Sequence, residues 1–588
     1  MPNESQHLPV TRDEIGKRGW DRLDVIIVTG DPHVDHPAFP AALLGRVLEA
    51  AGFRVGVIAR PDPNRPEKVA RLGLPRLFFG VTAGSLDSMV ANYTAQKRLR
   101  SDDPYAPGGK AGGRPDRALS VYCNMIRRSF GKSAFLVAGG LEASLRRFAH
   151  YDYWSDSVRR PILMDCGADV LVHGMGETAV VTIAQRLERL LEQNNDLAKA
   201  RESGRTVDTR IQVAAIADLP GVVYRTPKSE PEPADGLALP SCEEVAKDHE
   251  KHALAHQLQE TNRHRVLWQN CSGMRIVVNP AAAPLSTDEL DRIYGLPFTR
   301  DPHPMYRGQR IPALEQVRFG VVSHRGCFGG CAFCAIGAHQ GKTVTSRSVD
   351  SILNEIKRIV AHPDFRGTIT DVGGPTANMY GLFCKREGGC NRPSCLWPKP
   401  CRDLHTDQGD YLRLLQAAKN VPGVKHLFVT TGIRTDLAVL SEDLVRKLAR
   451  DHTSGLMKVA PEHVSAVVLD LMRKNSVDSF VDFLQMHRRF SKEAGVKQFV
   501  LPYLMAAHPG CDVEQMMEVS RFMKKHGLKA EQCQIFTPTP GTASTVMYAT
   551  GLDPATLRPV FVEKKPKRKQ KQKEMILKPS SHTRHKRR

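Results

Sequence analysis

Short apolar runs rich in β-branched residues punctuate this chain of 588 residues in two series, and each gives way to a longer stretch with helical spacing. The first series is DVIIVTG (24–30), RVGVIAR (54–60), LFFGVT (77–82), SAFLVAGG (133–140) and DVLVHG (169–174). Strands that alternate with helices have few ways to bury both faces, and a mainly parallel, helix-covered sheet is the simplest. Five such strands predict a doubly wound α/β domain of flavodoxin type over residues 1–220. TPKSEPEPADG reads as an exposed loop or linker, and residues 221–305 as a connecting region.

The second series begins near Gln316, in a domain spanning 306–560. Its runs are VRFGVVS, TITDVGG, HLFVTTG, LMKVAP, KQFVLPYLM and EQCQIFTPT. Between the first two, Ile352, Ile356, Ile359 and Val360 fall at helical spacing behind Ser348, a predicted N-cap. Further helices are expected after Ser441, His463, Ser476 and Cys511. Six βα units are too few for a closed eight-stranded barrel and predict a partial one. The strand ends read HRGCFGGCAFC, GGPTAN, TGIRTD, KVAPEH, AAHPGC and TPTPGT. In α/β barrels chemistry sits at those ends, so six polar or glycine- and proline-rich ends predict one rim around one site.

Seven of the thirteen cysteines lie between Cys327 and Cys401. The N-terminus lacks an apolar signal core and no run of eighteen apolar residues occurs, so the reading places the chain in the cytoplasm with no membrane partner. The cytosol keeps thiols reduced, and clustered cysteines there point to metal or redox chemistry. Cys327, Cys331 and Cys334 have the spacing C-x3-C-x2-C. Structural zinc is closed by four ligands, so zinc would need a distant fourth. A [4Fe–4S] cluster on three thiolates keeps one iron open to a substrate or cofactor. Gly326, Gly329 and Gly330 let the loop wrap a bulky core. Phe333 stands where an aromatic can pack beside a nucleoside; the plain alternative is ordinary packing.

C-x3-C-x-aromatic-C at the end of a first barrel strand resembles the signature of radical S-adenosylmethionine (SAM) enzymes. GWDRLDVIIVTGDPHVDHP, RRFAHYDYWSDSVRR, LPFTRDPHP, MKVAPEH and FTPTPGT are similar to the YgiQ-type branch of that family, from about residue 10 to residue 560. The resemblance implies that Cys327, Cys331 and Cys334 hold a [4Fe–4S] cluster whose open iron chelates SAM. It further implies that one electron from a donor such as flavodoxin or ferredoxin cleaves SAM to methionine and a 5′-deoxyadenosyl radical, and it supplies no substrate. Gly373 and Gly374 match the place where the family backbone holds the SAM amino group. Pro375 follows where an acidic residue is usual, and Asn378 is the stand-in. Arg434 and Glu462 are candidates for SAM carboxylate or ribose contacts, against an Arg–Glu pair that only braces the rim.

Other features stay open. Cys384, Cys390, Cys395 and Cys401 lie in a Gly- and Pro-rich stretch with little apolar period, which suits structural zinc, an auxiliary iron–sulfur cluster or four unbound thiols; His405 is an alternative ligand. Asp31 and His33 fit the Asp-x-His-x-x-Gly motif of cobalamin-binding domains, but His36 replaces the glycine. Ser85–Leu86 and Gly139–Gly140 are the partial remaining markers, and the preferred reading is a cobalamin-domain-like fold that has lost its cofactor. GMGETA (174–179) follows the last strand rather than the first, against a dinucleotide site. Net charge is +21, and from Glu563 onward twelve Lys and Arg face two Glu. Residues 561–588 therefore read as a disordered basic tail able to contact RNA without sequence preference. The contrasting hypothesis is a non-catalytic, zinc-held RNA-binding protein.

Overall fold

The computed structural model describes residues 7–386 and 390–577. The chain divides into two compact units, Met1–Arg318 with Ala338–Gly341, and Phe319–Gly337 with Lys342–Arg588.

In the first unit the five predicted strands lie parallel in the order Val55–Ala59, Val25–Thr29, Phe78–Thr82, Leu136–Gly139, Val170–Val172. That is the flavodoxin-type order. Side chains alternate between faces, as strands require. Ile26, Val28, Phe79, Val81, Leu136 and Ala138 enter one core with the helix Ala118–Phe130. Val25, Ile27, Val55, Val57, Phe78 and Val137 enter the other with Pro40–Ala50 and Glu177–Gln193. Both faces are covered, so the strands read as continuous apolar runs.

The stretch 221–305 is no connector. Val222–Pro227 pairs antiparallel with both Val170–Val172 and Met274–Val278, and Leu267–Cys271 and Leu237–Leu239 extend the sheet to nine strands. The signal was LWQNC-SG-MRIVV, where Ser272 and Gly273 both take positive φ (49° and 80°). Two left-handed residues between alternating runs make a tight hairpin whose twist matches its strands.

In the second unit the strand Gly320–Val322 pairs parallel with Asp371–Gly373; Thr368–Ile369, just before it, pairs with His426–Leu427. A single parallel bridge, Ile433 to Val459, leads on to Leu456–Glu462, which pairs with Phe499–Ala506 and then Cys533–Ile535. The six strands therefore run in chain order, as a partial (β/α)6 barrel requires. The helix Val349–Val360 buries Ile352, Ile356 and Ile359, each contributing about 1.5–3 kcal/mol. Ser348 caps it, its Oγ accepting from Ser351 N at 3.1 Å. Ser348→Ala is expected to cost about 1 kcal/mol, read as a lower urea midpoint for this unit.

The basic tail is corrected in part. Pro566–Glu574 is a helix. Lys569 is buried, donating to the Tyr548 hydroxyl at 2.7 Å, and Gln572 accepts from Ala507 N and donates to Cys511 O. A lysine whose ammonium finds a hydroxyl and a ring face can be buried despite its charge. Residues 578–588 lie outside the described residues. No helix among the described residues is long and apolar enough to cross a membrane.

Candidate functional site

The three-cysteine loop leaves the first barrel strand after His324–Arg325, which pairs antiparallel with Thr345–Ser346. Two glycines in it are obligatory. Gly326 has φ 80°, and a Cβ there would lie 1.8 Å from Thr343 O. Gly330 has φ 62°, and its Cβ would lie 2.1 Å from Pro393 O. At Gly329 a Cβ would stand 3.3 Å from Cys327 Sγ and 3.9 Å from Cys331 Sγ, so both sulfurs face the same space. Cys334 N bonds Cys331 O at 3.1 Å, turning the third thiol in close to the second. Burial and the neighbouring Cys331 push the Cys327 thiol up, and the Cys334 thiol to about 12. A metal must therefore displace protons here. Among the described residues no three His, Cys, Asp or Glu side chains converge on a position for one metal ion.

The later strand ends surround this loop. Gly373 O accepts from Ser323 N at 2.6 Å, fixing the second strand end to the first. Gly374 lies against His324; a Cβ there would be 2.7 Å from the imidazole. His324 is buried with Nε2 unpartnered, and burial pulls its pKa to about 4. Asn378, the stand-in for the usual acidic residue, is engaged with the third strand end. Its Oδ1 accepts from Arg434 N at 2.9 Å and its Nδ2 donates to Arg434 O at 3.0 Å, so both ends of the amide hold the third strand end.

Arg434 is thereby aimed. It donates through Nε and Nη2 to both oxygens of Asp436, and through Nη1 to Cys331 Sγ at 3.4 Å. Of the two readings of Arg434 and Glu462, the bracing Arg–Glu pair is not formed; the carboxylate that Arg434 grips is Asp436. Asp436 was passed over in the sequence, although R-T-D at a strand end is a short enough spacing for a fork on a carboxylate.

Glu462 is buried, with φ 67° and Oε2 unpartnered. Left-handed backbone at a non-glycine residue costs about 1–3 kcal/mol and collects at functional sites. Burial raises its pKa to about 7, against the opposing pull of Lys474 and Arg434. Ile433–Asp436, Ala460, Pro461, Lys474 and Asn475 line a small open cleft beside these groups. Phe333 is half-buried, edge-on to His508 with ring centroids 6.2 Å apart and packed near Val468 and Leu504.

Both halves of the chain match known families. Residues 7–320 match the radical SAM N-terminal family and residues 321–523 the radical SAM superfamily. The chain belongs to the radical SAM superfamily. It is 47% identical over 562 residues to a UPF0313 protein of Methanocella arvoryzae, covering 94% of this chain and 90% of that one. It is 48% identical over 577 residues to a UPF0313 protein of Geobacter sulfurreducens, covering 97% and 92%. A structure of the radical S-adenosylmethionine methyltransferase TsrM from Kitasatospora setae, with cobalamin and a [4Fe–4S] cluster bound, is similar at TM-score 0.46 and 15% identity over 90% of this chain and 78% of that one. A likeness of that degree assigns no substrate or cofactor to this chain.

As a radical SAM protein the chain is an iron–sulfur enzyme that binds a [4Fe–4S] cluster and SAM. The residues on the rim fit both groups. Three thiols share one loop, two of them around a space that a Cβ would enter, and a buried carboxylate oxygen and an imidazole nitrogen nearby lack partners.

The cobalamin markers of the radical SAM N-terminal domain are spent internally. Asp31 accepts from Ser85 N at 2.6 Å, Ser85 Oγ at 2.7 Å and Arg114 Nη2 at 3.0 Å. The Arg114 side chain, 0% exposed, fills the crevice between the first and third strand ends where doubly wound folds bind ligands. His33 Nε2 meets Leu8 O at 3.1 Å, and its ring lies among those of His7 and His303. His36 Nε2 accepts from Arg300. Gly140 sits so near Thr82 that a Cβ would approach Oγ1 to 2.5 Å. GMGETA follows the fifth strand and opens the helix Glu177–Gln193, although the sheet continues beyond that strand.

Proposed function

We propose that Cys327, Cys331 and Cys334 hold the [4Fe–4S] cluster and that the enzyme cleaves SAM reductively. The observation that carries this reading is the three-thiol loop at the end of the first barrel strand, with Arg434 directed at the middle sulfur. A cluster held by Cys327, Cys331 and Cys334 would supply the one electron that reductive cleavage of SAM to methionine and a 5′-deoxyadenosyl radical requires. The chain's own residues do the positioning. Arg434, held by Asp436 and by the Asn378 amide, donates to the Cys331 sulfur and offsets thiolate charge in a dry setting. Gly373 and Gly374, with Thr431 and His324 packed directly against them, offer backbone at the second strand end for the SAM amino group. Glu462, poised near neutrality, is the acceptor for a SAM amino or ribose group, and Phe333 lines the neighbouring apolar wall. The electron comes from a donor such as flavodoxin or ferredoxin.

We read the N-terminal domain as a cobalamin-domain-like fold without a corrin site, because Arg114 occupies the crevice and His33 is turned inward onto Leu8 O. Purified without oxygen, the chain is expected to contain iron and acid-labile sulfide. With a reductant and SAM it should release methionine and 5′-deoxyadenosine. Zinc with no sulfide would overturn the reading and favour the zinc-held RNA-binding alternative.

A further inference from the structure

The second cysteine segment is the largest chemistry-bearing feature that this function leaves unused. Among the described residues from Phe383 to His405 there is no helix, and the regular pairing is one antiparallel bridge, Cys384 to Leu404. A stretch of that length with so little hydrogen-bonded structure inside a compact domain needs something to hold it. Its apolar anchors are few, chiefly Leu396 and Leu404 against Phe328.

The fold nevertheless gathers the four thiols. Cys401 N bonds Cys395 O at 2.8 Å, and Leu404 N returns to Cys401 O at 3.1 Å, so the turn brings Cys401 back beside Cys395 and toward Cys384. Cys395 and Cys401 pack against the same apolar cluster, and the Cys384–Leu404 bridge brings Cys384 alongside. Arg392 N–H donates to Cys390 Sγ at 3.3 Å. Lys342 reaches in from outside the segment, its ammonium on Cys390 O at 2.6 Å and Arg392 O at 2.5 Å. Lys342 thus ties the Cys390 turn to the rest of the unit through two carbonyl oxygens. All thirteen cysteines are free, so no disulfide accounts for the gathering. His405 is stacked on Phe383 at 4.8 Å instead of joining the group.

The segment also supports the first loop from behind. Cys395 N donates to Phe328 O at 3.0 Å, and the buried Ser394 hydroxyl donates to Gly329 O at 2.6 Å. Ser394 in turn accepts from Leu396 N and Trp397 N. The backbone between Cys327 and Cys331 thus leans on Pro393–Cys395.

We infer that Cys384, Cys390, Cys395 and Cys401 form a second, separate metal–thiolate centre whose metal orders the segment and so fixes the backbone of the three-cysteine loop. The ligand class is a thiophilic metal, zinc or an iron–sulfur cluster, since four thiolates serve either. The four thiols do not yet converge on one position, so metal binding closes the site as it orders the loop. The centre itself stands apart from the proposed SAM chemistry; only its buttressing role rests on that reading.

The test compares wild type with Cys395→Ser/Cys401→Ser, both purified without oxygen, for zinc, iron and sulfide per chain. Wild-type protein is also alkylated under native conditions before and after a chelator, with each cysteine followed by mass spectrometry. The expected result is loss in the variant of about one zinc, or of about four irons beyond those of the first loop. In wild type the exposed Cys384 should be protected and become at least about tenfold more reactive once the metal is removed, since a coordinated thiolate is not a free nucleophile. Equal alkylation with and without chelator, with no metal lost in the variant, overturns the inference. Loss of only the first loop's iron also overturns it as a separate centre, because these thiols would then serve the first cluster. If the variant fails to fold, the wild-type protection pattern decides.

Discussion

Alanine at Cys327, Cys331 and Cys334 together is expected to abolish cluster binding at the first loop and lower SAM cleavage at least about a thousandfold, about 4 kcal/mol of lost barrier reduction. The three side chains are only partly buried and the loop's shape is set by other groups. Gly326 against Thr343, Gly330 against Pro393 and Ser394 on Gly329 O all survive the substitution. The fold should therefore persist, with unchanged far-ultraviolet dichroism, while the iron chromophore disappears. Metal that remains in this variant belongs elsewhere, and Cys384–Cys401 is the place to look. Retention of full SAM cleavage would refute the proposed cluster ligands outright.

Glu462→Gln is expected to stabilise the fold and impair the enzyme. The folded carboxyl has its pKa raised by burial to about 7, from 4.5. Between those values the folded chain keeps a proton that the unfolded chain has released. Stability contributed by this group is thus fully present below pH 4.5 and is lost as pH rises through 7. Above pH 7 the buried carboxylate costs about 3 kcal/mol. Glutamine removes that cost, so the variant's urea midpoint should exceed wild type at pH 8 and match it near pH 4.5. SAM affinity should fall by about tenfold or more, since a charged acceptor is worth about 1.5–3 kcal/mol. A gain in stability with a loss in binding marks strain kept for function. A variant less stable at pH 8 would instead make Glu462 a brace of the rim.

Much of the architecture was legible because it follows from local patterns. Helix starts after Ser348, Ser441, His463, Ser476 and Cys511 were legible to within about two residues, as apolar spacing and polar caps, here Ser348, Ser441 and Asp512, are short-range signals. The first five strands were legible because both of their faces are buried, which makes apolar runs. The stretch 221–305 was not, because its strands are short and half-polar and gain stability only by adding to a sheet already formed. The helix Pro566–Glu574 was missed for a related reason. Its composition is that of a solvated tail, and only the Tyr548 hydroxyl and the backbone at Ala507 and Cys511 give Lys569 and Gln572 a reason to be buried.

The sequence by itself determined the two α/β series, the family and the three thiols on one loop, since spacing along the chain suffices for each. Tertiary structure alone decided what surrounds them. Asn378 meets Arg434 across 56 residues, Arg434 meets Cys331 across 103, and Arg114 meets Asp31 across 83. Hydrogen bonds and burial act over a few ångströms in space, and no local pattern in the chain records which distant residues folding will bring within that reach.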